Sequence, residues 1–148
     1  MSDVVSPVAP SQQPDQLESP ALDFWRERHL CTLATVRPDG TPHVVPVGVT
    51  YDPDTGLARI ITNRTSVKAR AIAAAGTAAV ALTQVDGRRW TTLEGRARVV
   101  TDPTAIADAV ERCAVRYKQP RPNPDRVVIE VEVQRVLGTM RVPLPATD

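Results

Sequence analysis

Alternation of apolar and polar residues with a period of two recurs along the chain and predicts a set of β-strands. The pattern is clearest over residues 126–136, where four apolar residues are predicted to face inward and three polar residues outward. These are Val127, Ile129, Val131 and Val133 on one side, and Glu130, Glu132 and Gln134 on the other. Further strands are predicted over residues 30–36, 42–50, 57–62, 77–84 and 89–100.

Three segments instead repeat apolar residues at helical spacing or are rich in helix-forming alanine. The first helix is predicted over residues 21–28 and the third over residues 103–118. The second begins after Ser66 or Thr65, since either side-chain oxygen can cap it, and ends at Gly76.

About six strands with hairpin-length turns and three helices predict a mainly β protein, with a mostly antiparallel sheet closed into a barrel and the helices outside. Residues 1–19 are rich in Pro, Ser, Gln and Asp without periodicity, which predicts a disordered N-terminal tail. Residues 20–148 are then expected to form one domain.

Pro46 and Gly48 lie in the predicted strand over residues 42–50. Because proline lacks a ladder N–H, this strand is expected at a sheet edge or at a bulge. The bare backbone at Gly48 would also let a flat ligand approach closely. An ordinary bulged edge strand explains the same residues, and on this pattern alone it is the better interpretation.

The segment over residues 61–70 places three cations, Arg64, Lys68 and Arg70, at the start of the second helix. The helix dipole is already positive there, so cations are mildly unfavourable. Free N–H groups, hydroxyls and cations together predict a site for a phosphate or carboxylate. A solvated basic helix start remains the alternative.

Composition narrows the classes of function. The formal net charge of +1 provides no global attraction to nucleic acid or to an acidic membrane. No apolar run approaches the roughly 20 residues of a membrane span, and no signal pattern opens the chain, so a cytoplasmic protein is expected. Two cysteines far apart and two histidines predict neither a disulfide framework nor a metal site.

The sequence contains no glycine-rich phosphate loop and no G-x-S-x-G motif. Asp86 and Glu94 are the candidate carboxylates for acid–base chemistry, and both are explained more simply as surface charges. If the protein is an enzyme, a bound cofactor must therefore carry the reaction.

Four segments occur in a fixed order: P-H-V-V-P-V-G-V-T-Y-D, I-I-T-N-R-T-S-V-K-A-R, V-D-G-R-R-W-T-T-L-E-G-R-A and R-P-N-P-D-R-V-V-I-E-V. Over roughly residues 20–138 the set resembles the split β-barrel flavin and deazaflavin oxidoreductases, the superfamily of pyridoxamine 5′-phosphate oxidase. It is most similar to the branch that uses coenzyme F420, and within that branch to enzymes that reduce biliverdin.

The resemblance implies a homodimer with the cofactor, F420 or alternatively FMN, in a groove between two protomers. It implies that the loop before the second helix holds the cofactor phosphate, through Thr62, Asn63, Arg64, Ser66, Val67 and Lys68. The second strand would run along the ring at Val45, Pro46 and Val47. Trp90 would lie near the ring or the tail, and Gln84 is a weaker assignment to the cofactor site.

The implied reaction is hydride transfer from C5 of reduced F420 to a conjugated small molecule, with biliverdin as the leading acceptor. Arg88, Arg89 or Arg121 would pair with the propionates of a bilin. Arg89 is also expected to serve proton supply, by polarising a carbonyl or ordering a water. The alternatives are an FMN enzyme of the oxidase type and a non-catalytic dimer that binds F420, flavin or haem.

Overall fold

A seven-stranded antiparallel sheet and three helices make up residues 19–146, the part of the chain that a computed structural model describes. The first 18 residues of the predicted N-terminal tail lie outside the described residues. In chain order the elements are α1 (Pro20–Arg26), β1 (Cys31–Val36), β2 (Pro42–Val47), β3 (Thr50–Asp52), β4 (Leu57–Asn63), α2 (Val67–Ala75), β5 (Ala78–Asp86), β6 (Arg89–Val100), α3 (Pro103–Arg116) and β7 (Arg126–Gly138).

The strands lie in the order β2-β1-β5-β6-β7-β4-β3, and every neighbouring pair is antiparallel. The predicted mainly β class with a split barrel is confirmed. The strand count differs from the prediction because Gly48 and Val49 interrupt the predicted strand over residues 42–50, which becomes β2 and β3. These two consecutive strands form the two edges of the sheet. Among the described residues no ladder joins them, so the sheet stays open there instead of closing into a barrel as predicted.

The core lies on the inner face of the sheet, where Leu33 pairs with Leu82, and Leu82 with Leu93. All three are fully buried. The helix α2 packs against β6 and contributes Ile72 to this core, and α3 packs against β3, β4 and β7. Within residues 19–146, no helix is both long and apolar enough to cross a bilayer.

Strand β7 departs from the predicted alternation at Glu130. This residue was expected to face solvent, but it is buried, as are its neighbours on both sides. Its carboxylate accepts a hydrogen bond from Nη2 of Arg98 at 3.0 Å. The helix α3 covers part of β7, so a polar residue on the outer side of the strand is buried and takes an ionic partner.

A buried arginine, Arg116 at the end of α3, connects four elements of the fold. Its Nε donates to the carbonyl oxygen of Glu27, just after α1, at 2.8 Å. Its two terminal nitrogens donate to the carbonyl oxygen of Val49, between β2 and β3, and to Oε1 of Gln84 in β5. Among residues 19–146, no carboxylate pairs with this cation. Hydrogen bonds to three neutral oxygens compensate its lost hydration.

Aromatic rings complete the surroundings of Arg116. The guanidinium lies 5.2 Å from the ring centroids of both Trp25 and Tyr117. The Tyr117 ring also covers Gly48, since a Cβ there would lie 3.3 Å from it. The prediction that the backbone at Gly48 is open to a flat ligand is therefore wrong. The missing side chain makes room for Tyr117, whose hydroxyl accepts from the N–H of Val49 at 3.0 Å.

Arg116→Lys is expected to lower the free energy of unfolding by on the order of 2–4 kcal/mol. A single ammonium cannot reach all three acceptors, so buried carbonyl groups lose their donor. Urea denaturation measures the change, with Arg70→Lys on the exposed face of α2 as the matched control. A loss below about 1 kcal/mol in Arg116→Lys would contradict the role assigned to this residue.

Candidate functional site

The loop between β4 and α2 is a tight turn that ends in a helix cap. The N–H of Ser66 donates to the carbonyl oxygen of Asn63 at 3.0 Å, and Ser66 Oγ accepts from the N–H of Ala69 at 3.2 Å. Ser66, one of the two predicted caps, is therefore the N-cap of α2. The N–H groups of Val67 and Lys68 have no partner among residues 19–146, as expected for the first turn of a helix.

The hydroxyl of Ser66 is left with a free donor. Its oxygen accepts from Ala69 and also from Oγ1 of Thr62 at 3.2 Å. A serine hydroxyl has two acceptor positions and one proton, so with both positions occupied the proton is available to a ligand. The hydrogen bonds of the loop thus prepare Ser66 to donate to an anion.

Lys68 lies in the first turn of α2 and is half-buried. Burial lowers the pKa of its ammonium below the ordinary value of 10.5, because no carboxylate compensates the lost hydration. No ion pair or hydrogen bond holds this ammonium within the described part of the chain. A cation in this state is stabilised by any anion that binds beside it.

The other predicted loop residues differ in what they offer. Arg64 lies 3.8 Å from a carboxylate oxygen of Asp125, and both side chains are mostly exposed, so this pair is weak. The side chain of Val67 is exposed. Arg70 is exposed as well, on the next turn of the helix. The donors in the first turn of α2 that have no protein acceptor within the described residues are thus the Ser66 hydroxyl, the Lys68 ammonium and two backbone N–H groups.

The end of β2 and the loop over residues 62–68, here called the anion loop, are connected only through β3. Gly48 and Val49 separate Val47 from Thr50, and Thr50 pairs with Arg59, three residues before Thr62. Val47 itself pairs with Cys31 in β1, at the other edge of the sheet. Within the described residues, no strand ladder joins the predicted ring-binding segment to the anion loop directly.

Within that segment the side chains point in opposite directions. Val47 is buried and Val45 packs against the core, whereas Pro46 is exposed. Val44, which the sequence reasoning did not single out, is also exposed. A flat ligand at this edge would meet Pro46 and Val44 rather than the two inward-facing valines.

Trp90 lies on the outer face of the sheet, at the end where β2 stops. It pairs with Val85 across the hairpin between β5 and β6, and both side chains are exposed. Three strand spacings separate β6 from β2, a distance of about 14 Å. The outer face between them carries further exposed apolar residues, among them Val36 and Val44.

Gln84 does not reach this surface, although it was predicted to bind the cofactor. It has no exposed area, its Nε2 donates to the carbonyl oxygen of Phe24 at 3.0 Å, and its Oε1 accepts from Arg116. The neighbouring thiol of Cys31 is buried too, which raises its pKa to about 11. Gln84 therefore belongs to the core rather than to the candidate site.

Arg89, predicted to be the substrate-side group, is held in a clamp. It makes two hydrogen bonds to the carboxylate of Glu27, at 2.9 and 3.0 Å, and one to Asp86, and its guanidinium lies 4.6 Å from the ring centroid of Phe24. These bonds raise the pKa of Arg89 further, while Arg89 and then His29 lower the pKa of Glu27 to about 2. Arg89 thus forms structural ion pairs with Glu27 and Asp86, and it is not a source of protons at neutral pH.

Arg88 and Arg121, the other predicted substrate arginines, are exposed and have no side-chain partner among the described residues. They do not come together. Arg88 lies at the β5–β6 hairpin beside Trp90, and its carbonyl oxygen accepts from Thr139 at 2.7 Å. Arg121 lies in the loop before β7, where its carbonyl oxygen accepts from Arg126 at 2.7 Å.

Two contributors were missed in the sequence. Asn123 donates to Oδ1 of Asn63, and Glu27 anchors Arg89. Both act over about 60 positions in sequence. No local pattern marks such contacts, although the proline-flanked Asn123 is a typical turn residue.

Comparison with known proteins identifies the family of the chain. Residues 17–140 match the family model described as Pyridoxamine 5′-phosphate oxidase. The chain is 54% identical over 124 residues to a Mycobacterium tuberculosis protein named F420H(2)-dependent biliverdin reductase, covering 84% of this chain and 89% of the relative.

Two solved structures share the fold. One, named F420 Reductase, is 30% identical with a TM-score of 0.63, over 78% of this chain and 94% of the other. The second is the conserved hypothetical protein Rv2991 from Mycobacterium tuberculosis, at 25% identity and a TM-score of 0.66, over 85% of this chain and 87% of the other.

Since the chain contains just two lysines, NMR of ¹³C-labelled lysine measures the state of Lys68 directly. We expect Lys68 to titrate below 10.5, because burial disfavours its charged form. Added inorganic phosphate should raise the pKa of Lys68, since a bound anion favours the charged form. Titration of Lys68 at 10.5 or above, with no response to phosphate, would contradict the anion site.

Proposed function

This chain belongs to the pyridoxamine 5′-phosphate oxidase family, and from that membership we propose that it is an F420-dependent reductase. It transfers a hydride from reduced F420 to a conjugated small molecule, with biliverdin as the leading acceptor. The observation that carries the proposal is 54% identity, over most of both chains, to a protein named F420H(2)-dependent biliverdin reductase.

The anion loop fits the phosphate of such a cofactor. Ser66 offers a free hydroxyl proton, Lys68 an unpaired half-buried ammonium, and the first turn of α2 two free N–H groups. These donors are what a phosphate requires. The exposed cations Arg64 and Arg70 nearby suit the glutamate tail of F420, which FMN lacks.

Bound at this loop, reduced F420 supplies the hydride and the protein supplies position. Ser66 and Lys68 fix the phosphate end, and the exposed Pro46 and Val44 on the edge strand give the flat ring a surface. Holding donor and acceptor in contact can contribute roughly 7–11 kcal/mol to catalysis. Orientation is therefore the main role of these residues, since none of them reacts.

Arg88 takes the substrate-side role that was predicted for Arg89. Its guanidinium is exposed and unpaired within the described residues, so it can bind a propionate of the acceptor bidentately. Arg89 holds the hairpin that carries Arg88 and Trp90. The proton that balances the hydride comes from solvent in this scheme, because the clamp keeps Arg89 fully protonated.

We also propose the homodimer that the resemblance implies. The outer face of β1, β2 and β5 exposes Val36, Val44 and Val85, whereas α2 and α3 pack mainly against β3, β4, β6 and β7. A second copy would cover this exposed face. The cytoplasmic location stays a prediction.

The reaction itself is tested by mixing reduced F420 with biliverdin and the purified protein. We expect loss of the bilin absorption band together with oxidation of F420. Binding of F420 without any loss of the band would support the non-catalytic alternative. Tight FMN binding with no F420 binding would support the oxidase-type alternative.

Lys68→Ala is expected to weaken F420 binding by about 1.5–3 kcal/mol, the value of a hydrogen bond to a charged group. Fluorescence titration of F420 measures the affinity. Lys118→Ala removes the other lysine, at an exposed position, and should leave it unchanged. Equal affinity in wild type and Lys68→Ala would show that the phosphate binds elsewhere.

Arg88→Gln is expected to raise the KM for biliverdin about tenfold, because one charge-assisted bond to a propionate is lost. The affinity for F420 should change little. Steady-state kinetics with each substrate varied in turn separates the two effects, and Lys118→Gln at an exposed position controls for the loss of one surface charge. An unchanged KM for biliverdin would exclude Arg88 from the acceptor site.

A further inference from the structure

The proline-flanked loop before β7 is hydrogen-bonded to the anion loop. The N–H of Arg64 donates to the carbonyl oxygen of Asp125 at 2.9 Å. Asn63 pairs with Arg126 at the ends of β4 and β7. Side by side with these backbone contacts, Nδ2 of Asn123 donates to Oδ1 of Asn63.

The direction of these bonds is set by a backbone group that can only donate. The N–H of Asp125 donates to Oδ1 of Asn123 at 2.9 Å. The Asn123 amide therefore has its oxygen toward Asp125 and its NH₂ group toward Asn63. Asn63 therefore accepts this hydrogen bond through its side-chain oxygen, and its NH₂ group is left free. No bond to this group is made within residues 19–146.

The free NH₂ of Asn63 belongs to the turn that ends at Ser66, whose N–H donates to the Asn63 carbonyl oxygen. The Asn63 amide thus belongs to the same turn as the other donors. Without Asn123, the amide of Asn63 is free to rotate and to present its oxygen instead. An exposed oxygen at this position would repel an anion rather than bind it.

We propose that Asn123 is a positioning residue of the cofactor-phosphate site: through Asn63 Oδ1 it fixes the Asn63 amide with its NH₂ group as the donor to the anion. The inference rests on the proposed function, because it concerns the same loop. It assigns a role to the R-P-N-P-D segment, which the proposed function does not otherwise use.

A double-mutant cycle tests this role. The variants are Asn123→Ala, Asn63→Ala and the double variant, with the F420 dissociation constant read by fluorescence and the Tm read alongside. We expect each single variant to bind F420 roughly tenfold more weakly, as for the loss of one bond to a charged group. The double variant should be no weaker than Asn63→Ala alone, because Asn123 acts only through Asn63.

Asn123→Ser is the second variant, in case Asn123→Ala disturbs the loop. A serine hydroxyl can still accept from the N–H two residues on, but it is too short to reach Asn63. It should lose the same affinity as Asn123→Ala while keeping the wild-type Tm. A purely structural role for Asn123 would instead lower the Tm and leave the affinity of the folded protein intact.

Two results overturn the inference. One is unchanged F420 affinity in both Asn123 variants; the other is a double variant whose losses simply add. Lys68→Ala separates this failure from that of the proposed function, because it removes the anion site without touching Asn123. If wild-type protein does not bind F420, the same cycle with inorganic phosphate as the probe, followed by the Tm, still decides the role of Asn123.

Discussion

A buried guanidinium without a counter-ion, that of Arg116, is the interaction on which the rest of the structure depends. Burying a charge is costly unless hydrogen bonds replace its hydration, and here three neutral oxygens and two aromatic rings do so. Those oxygens come from α1, from the β2–β3 interruption and from β5. The same cation therefore fixes the point where β2 ends. Through Gln84 it also fixes the position of β5, the strand that leads to Trp90.

The candidate site lies at the start of α2, in a sheet that stays open. Because Gly48 and Val49 interrupt the strand pairing, β2 and β3 form the two edges of the sheet. The helix α2, which follows β4, has unpaired N–H groups and a lysine without a partner in the described residues. Hydrogen-bond donors without acceptors and a partly desolvated lysine raise the free energy of the ligand-free protein. A bound phosphate lowers it again, because it accepts these hydrogen bonds and pairs with the lysine.

Much of this could be predicted from local patterns. Strand periodicity, the Ser66 cap and the cations of the loop are encoded within a few residues of one another, and the ordered motifs indicated the family. Three of the errors concern contacts distant in sequence: Tyr117 fills the space at Gly48, Glu27 binds Arg89, and Gln84 turns into the core. Local sequence patterns do not identify a side chain's partner when that partner lies far away in the sequence.

A crystal structure of the protein with F420 bound tests the central claim most directly. We expect the cofactor phosphate within hydrogen-bonding distance of Ser66 Oγ, Lys68 Nζ and the first N–H groups of α2, with the ring along the exposed side of β2. A phosphate bound away from this helix start, with Lys68 still unpaired, would contradict the account.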